Sequence, residues 1–207
     1  MNRFVLFFLS FFSCLSLSSQ TEWPIYIYGN HCSFRVPATL ELRDKDSKLG
    51  RTCDLLKKYI DMSYDDEAVF QPVGANSDDI ETIKNSMGHY ARIIIRCIPQ
   101  NDIDQSLVSS LTQADLNELN KVWKQEAEEF FSGEDFKWYQ LTSKKIGGKY
   151  ALITKYQRPG LKGVVLVEEY KFFLKGKLIR FTLSYRMSDS YIWKSDFEKI
   201  MGTLSFN

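Results

Sequence analysis

The chain has 207 residues, 44% of them hydrophobic and 14% aromatic, a packing composition that excludes an intrinsically disordered protein. Its formal net charge is +1, so the molecule as a whole exerts no electrostatic pull toward nucleic acid or membrane. Beyond the N-terminus no stretch approaches the ~20 apolar residues of a spanning helix.

Met1-Asn2-Arg3 places one basic side chain before an apolar run over residues 4–12, and small residues, mostly serines, follow over 13–19. Basic, apolar and small in that order is the plan of a secretory signal peptide. A membrane anchor competes with this reading, but Ser10, Ser13, Ser16, Ser18 and Ser19 interrupt the run. Two processing routes are open. Signal peptidase would cut after Ser19, leaving residues 20–207 as a single mature domain. Alternatively Phe12-Ser13-Cys14 serves as a lipobox and Cys14 becomes a lipidated N-terminus, although Phe11 stands where a branched aliphatic is preferred. The expected location is the periplasm or the medium, with a membrane-tethered lipoprotein as the alternative and no transmembrane segment in the mature chain.

Residues 24–28 read as a strand ending in the Gly29-Asn30 turn signal, and residues 32–37 alternate, with Phe34 and Val36 opposed to Ser33 and Arg35. Residues 40–43 alternate again. Leu55, Leu56, Tyr59 and Ile60 recur at helical spacing and predict a helix over about 51–61. A short strand over 68–72 closes at Pro72. Asn76 or Ser77 is expected to cap a helix bearing Ile80, Ile83 and Met87, with Asp78, Asp79 and Glu81 in the first turn, where the dipole favours anions. Residues 90–98 are the strongest strand signal and Pro99 ends it. Thr112 and Asp115 have capping-box spacing ahead of a long helix with Leu116, Leu119, Val122, Trp123, Phe130 and Phe131 on one face, stopped by Gly133.

From residue 136 the text becomes a meander. Strands are expected over 136–144, 150–156, 163–173 and 178–186, turned by Gly147-Gly148, Arg158-Pro159-Gly160 and Lys175-Gly176. In the last, Ile179, Phe181, Leu183 and Tyr185 face one way, and Arg180, Thr182 and Ser184 the other. Ser188 or Asp189 then opens a helix carrying Ile192, Trp193, Phe197, Ile200 and Met201, closed by Gly202. The order predicts an α+β domain, an antiparallel sheet of about six or seven strands flanked by helices.

Cysteine usage leaves two readings open. In an oxidising compartment a disulfide could join a pair among Cys32, Cys53 and Cys97; equally, all three could be buried small apolar residues. His31 and His89 are the only histidines, and no CxxC occurs, so no metal site is expected. Glu126, Glu128, Glu129, Glu134 and Asp135 read as a solvated helix face and not as a cation loop. No GxSxG, GxxxxGK[ST] or GxGxxG is present, and His31-Cys32, neighbours in a strand, point to opposite faces. A cofactor is not expected.

Charge is unevenly spread. Residues 137–187 hold twelve cations against two anions, whereas residues 101–136 hold nine anions against two cations. The plain account is attraction between sheet and helix, with lysines protecting edge strands. The sharper one is a basic face, Lys171, Lys175, Lys177 and Arg180, for an anionic partner.

Phe34-Arg35-Val36-Pro37, Val69-Phe70-Gln71-Pro72-Val73-Gly74, Tyr90-Ala91-Arg92-Ile93-Ile94-Ile95, the strand over 170–186, and Trp193 with Asp196-Phe197 together resemble exported members of the PsbP-like superfamily. That fold is shared by the extrinsic PsbP subunit of photosystem II and the Ran-binding Mog protein. The resemblance covers about residues 30–206 and implies an antiparallel sheet flanked by helices, with a docking or accessory role. It carries no binding residue onto a position here, and neither photosynthesis nor Ran binding follows from it. The leading expectation is thus an exported, non-catalytic accessory or interaction module for a protein or anionic surface partner, not nucleic acid. A second is a small-ligand or lipid carrier whose apolar cleft is walled by Phe172, Phe173, Trp123 and Trp193, although plain core packing accounts for the same aromatics. A third is an unrecognised hydrolase, since a carboxylate pair is assembled only by the fold.

Overall fold

The computed structural model describes residues 22–47, 67–131 and 136–207. The expected helix over 51–61, the N-terminal segment with Cys14, and Cys53 lie outside them. The described chain runs β1 (Ile25–Tyr28), β2 (Cys32–Arg35), β3 (Leu40–Leu42), β4 (Glu67–Pro72), α1 (Ile80–Ser86) and β5 (Ala91–Pro99). Then come α2 (Gln105–Ser110), α3 (Gln113–Phe130), β6 (Lys137–Trp138), β7 (Thr142–Ile146), β8 (Lys149–Arg158), β9 (Val165–Leu174) and β10 (Lys177–Arg186). A 3-10 turn, Met187–Asp189, leads into α4 (Ser190–Gly202) and β11 (Ser205–Phe206).

Eight strands form one sheet in the order β3-β4-β5-β10-β9-β8-β6, with β7 also on β8, and every pairing is antiparallel. β1, β2 and β11 form a second, small sheet. The alternation of β10 sets the layers. Ile179, Phe181, Leu183 and Tyr185 are all buried, and register sets Phe172 opposite Ile179 and Ile95 opposite Phe181. Against this face lies α4, which buries Trp193, Phe197, Ile200 and Met201 on a single helical stripe. Phe197 meets Tyr185 edge to face at 5.6 Å between centroids. The small sheet covers the rest through Phe34, 5.6 Å from Phe181 and 5.8 Å from Phe70. Removing a side chain such as Phe181 from water contributes about 1.5–3 kcal/mol.

The other face carries α2 and α3. Val108, Leu152 and Phe173 are buried there against Leu116, Leu119 and Trp123. The capping box is formed as the sequence predicts: Thr112 accepts from Asp115 N, and Asp115 accepts from Thr112 N.

Four expectations change. The sheet is larger than six or seven strands. α1 is capped by Asp79, not Asn76 or Ser77, because the Asp79 carboxylate accepts from Thr82 N at 2.8 Å, while the Asn76 amide is taken by Asp44 N and Gln71 Nε2. The strand over 136–144 is split, since Asn120 Oδ1 on α3 accepts from both Trp138 Nε1 at 2.9 Å and Leu141 N at 2.8 Å, drawing the chain off the β8 ladder at Gln140-Leu141. Finally, the apolar face of α3 is narrower than its pattern, for Val122 and Phe130 are 52% and 75% exposed. Among the described residues no helix is long and apolar enough to cross a membrane.

Candidate functional site

The four cations singled out from the sequence separate into two environments. Hairpin register pairs Lys171 with Arg180, on the face that carries α3. Lys171 is held there: its Nζ lies 3.8 Å from the Trp123 ring centroid and 3.4 Å from Glu169 Oε2. Burial pushes its pKa below the ordinary lysine value, an effect that Glu169 opposes. Arg180 is half-buried beside it, with Nε buried and lacking a hydrogen-bond partner. Lys171 is a packing cation more than a docking one.

Lys175 and Lys177 instead stand at the β9–β10 turn, which Gly176 makes with φ +76°, a conformation costly for any residue with a Cβ. They line a cleft of about 380 Å³ with Lys149, Leu174, Asn207 and the start of α2. Gln105 fixes that start. Its Nε2 donates to Tyr150 O at 2.9 Å and Phe173 O at 3.1 Å, and its Oε1 accepts from Tyr150 N at 2.7 Å. Among the described residues the cleft has one acidic side chain, Asp104, whose carboxylate caps α2 by accepting from Ser106 N and Leu107 N at 2.9 and 3.0 Å. Lys177 Nζ lies 2.7 Å from His31 Nδ1, so its nearest polar neighbour there is not an anion. Lys144 and Lys145 of β7 are also exposed, but they line a separate cleft together with Glu168 and Glu198. Lys149 entered the sequence reading only as one cation of the meander; the signal that could have found it is its place at a hairpin turn.

The thiol and ring pairs do not assemble a nucleophile. Cys32 is a free thiol with no exposed surface, and burial pushes its pKa up to about 12, with Lys177 lowering and Cys97 raising it. A reactive thiolate needs a shift in the opposite direction. Cys32 and Cys97 are not bonded to each other. His89 Nδ1 lies 3.4 Å from Asp189 Oδ1, at the far end of the sheet from His31. The aromatics proposed as cleft walls divide between the two faces: Phe172 and Trp193 belong to the α4 side, Phe173 and Trp123 to the α3 side.

No protein-family model matches the sequence, and no curated protein matches it significantly. Among solved structures, one from Bacteroides thetaiotaomicron superposes with a TM-score of 0.48 at 10% identity, over 90% of this chain and 49% of that one, so this chain spans about half its length. LpqN of Mycobacterium tuberculosis, a protein involved in cell envelope biogenesis, gives 0.45 at 11% identity over 85% and 83% of the two chains. Cyanobacterial PsbP from Synechocystis gives a TM-score of 0.51 at 16% identity over 90% of this chain and 93% of that one. The likeness to that structure, in a chain whose antiparallel sheet is flanked by helices as described, is one of fold: the protein has a PsbP-like α+β fold.

Proposed function

We propose that the protein is an exported, non-catalytic interaction module that docks an acidic partner, a protein segment or a surface polyanion, at the hairpin end of its main sheet. Export is supported by the order of residues 1–19. The observation that carries the docking reading is the convergence of Lys149, Lys175 and Lys177 on one cleft where, among the described residues, Asp104 is the one acidic side chain and is already engaged as a helix cap. Three cations against one acidic side chain leave the cleft net positive, and a positive potential steers and holds an anionic ligand. Burial that keeps the Cys32 thiol protonated speaks against thiol catalysis at that residue.

The test is salt-dependent retention on an immobilised sulfated polysaccharide and on polyglutamate. Lys149→Glu with Lys175→Glu and Lys177→Glu should abolish retention on both, whereas Lys171→Gln, in the helix-covered site, should leave it intact. Equal retention of the triple variant and wild type would overturn the reading.

A further inference from the structure

The opposite end of the main sheet carries a second basic cleft, of about 330 Å³. Three strands deliver its arginines: Arg92 from β5, Arg158 from the end of β8 and Arg186 from the end of β10, while Lys162 comes from the β8–β9 loop. No lining residue is acidic. Among the described residues Arg186 alone has a carboxylate near it, 3.4 Å from Asp189 Oδ2, and its Nη1 also donates to Gly88 O at 2.7 Å. Arg158 Nη1 donates only to the adjacent Pro159 O. The Arg92 guanidinium carbon stands 5.8 Å from the Tyr90 ring centroid, and Arg92 Nε is buried with no acceptor. A buried donor left unmade is costly, and like charges gathered in one cleft repel; an oxyanion relieves both.

The loop that closes this cleft exposes an apolar side chain beside the charges. A Cβ on Gly160 would meet Val165 Cγ2 at 2.7 Å and Gly163 O at 2.8 Å, and Gly163 holds φ +113°. This tight turn leaves Leu161 without any cover, fully exposed between Gly160 and Lys162. Met187, whose N–H donates to Val164 O at 2.9 Å, is exposed on the flank of the same loop. Apolar side chains at a basic rim match the boundary between phosphates and acyl chains, where the cation meets the headgroup and the hydrocarbon side chain enters below it.

We infer that this cleft binds the phosphate-bearing headgroup of an anionic phospholipid, with Leu161 entering the acyl region of the same bilayer. The inference stands on residues other than those of the hairpin end and does not depend on that site.

The processed protein in its unacylated form is co-sedimented with vesicles of phosphatidylglycerol mixed with phosphatidylcholine, and with phosphatidylcholine alone. Binding is expected to the mixed vesicles only. Arg158→Gln with Lys162→Gln should weaken it about thirtyfold, since each basic residue near an anionic surface is worth roughly fivefold. Leu161→Ser should weaken it further while leaving competition by soluble glycerol phosphate unchanged. Lys175→Gln with Lys177→Gln removes the same charge from the other end and should leave vesicle binding as in wild type. Vesicle binding unaffected by the Arg158 and Lys162 changes would overturn the inference. So would equal binding to neutral vesicles, or inorganic phosphate binding without vesicle binding.

Discussion

Cys32 offers a direct test of how the core is closed around β2. The residue has no exposed surface and is flanked in register by Tyr28 on β1 and Phe206 on β11. Burial raises its thiol from the ordinary 9.0 to about 12. A thiol that keeps its proton longer when folded contributes stability that is fully present below pH 9 and is lost as pH rises toward 12, because the unfolded chain ionises first. At 1.36 kcal/mol per unit, the loss from this group alone amounts to about 1.4 kcal/mol by pH 10. Urea unfolding under reducing conditions from about pH 8 to pH 10 measures it, comparing wild type with Cys32→Ala. Tyrosines and lysines titrate in both proteins and cancel in the difference, so the constant cost of the truncated side chain cancels in the slope too. The gap between the two proteins should narrow with pH by that amount. Parallel curves, or rapid alkylation of Cys32 at neutral pH, would refute both the burial and the argument against thiol catalysis.

Gly147→Ala should unfold the protein at least about 2–4 °C earlier in calorimetry, since an incompatible glycine replacement costs more than about 1 kcal/mol. The position has φ +56° and an added Cβ would stand 2.5 Å from Leu204 O; an unchanged Tm would contradict that contact. Intact-mass analysis of protein recovered from the host should give either a chain beginning at Gln20 or one acylated at Cys14, and an uncleaved Met1 would remove the export reading.

Much of the fold is written in local patterns. The alternation of residues 179–185 fixes which side of β10 faces α4, and Trp193, Phe197 and Ile200 give that helix its buried stripe. Thr112 and Asp115 announce α3 because both halves of the capping box lie within four residues. α2 was not legible: its six residues contain no sustained apolar period and it is held by Gln105 reaching the ends of β8 and β9, a contact across 45 and more positions. The split of the 136–144 strand depends likewise on one distant amide, Asn120. For the sites, hairpin register could have paired Lys171 with Arg180, but only the docking of Trp123 reveals that Lys171 is occupied. The second cleft escaped notice because Arg92, Arg158 and Arg186 come from strands that only the β5-β10-β9-β8 order brings together.

That order also explains why both candidate sites sit at strand ends. One face of the sheet is closed by α4 and the small sheet, and much of the other by α2 and α3, so side chains pointing along either normal are largely committed to packing. Ends are where the chain turns, where backbone is solvated and where charge costs little. β8, β9 and β10 are each ten residues long, which separates the two ends by about 33 Å at the rise of a strand. Several Debye lengths of ~8 Å fit into that distance at physiological salt. Fields at Lys175 and at Arg158 therefore act independently on exposed ligands, and neutralising one end influences the other only through the fold. Charge-matched glutamine pairs at the two ends thus separate acidic-partner docking from phospholipid binding, even in a protein that does both at once.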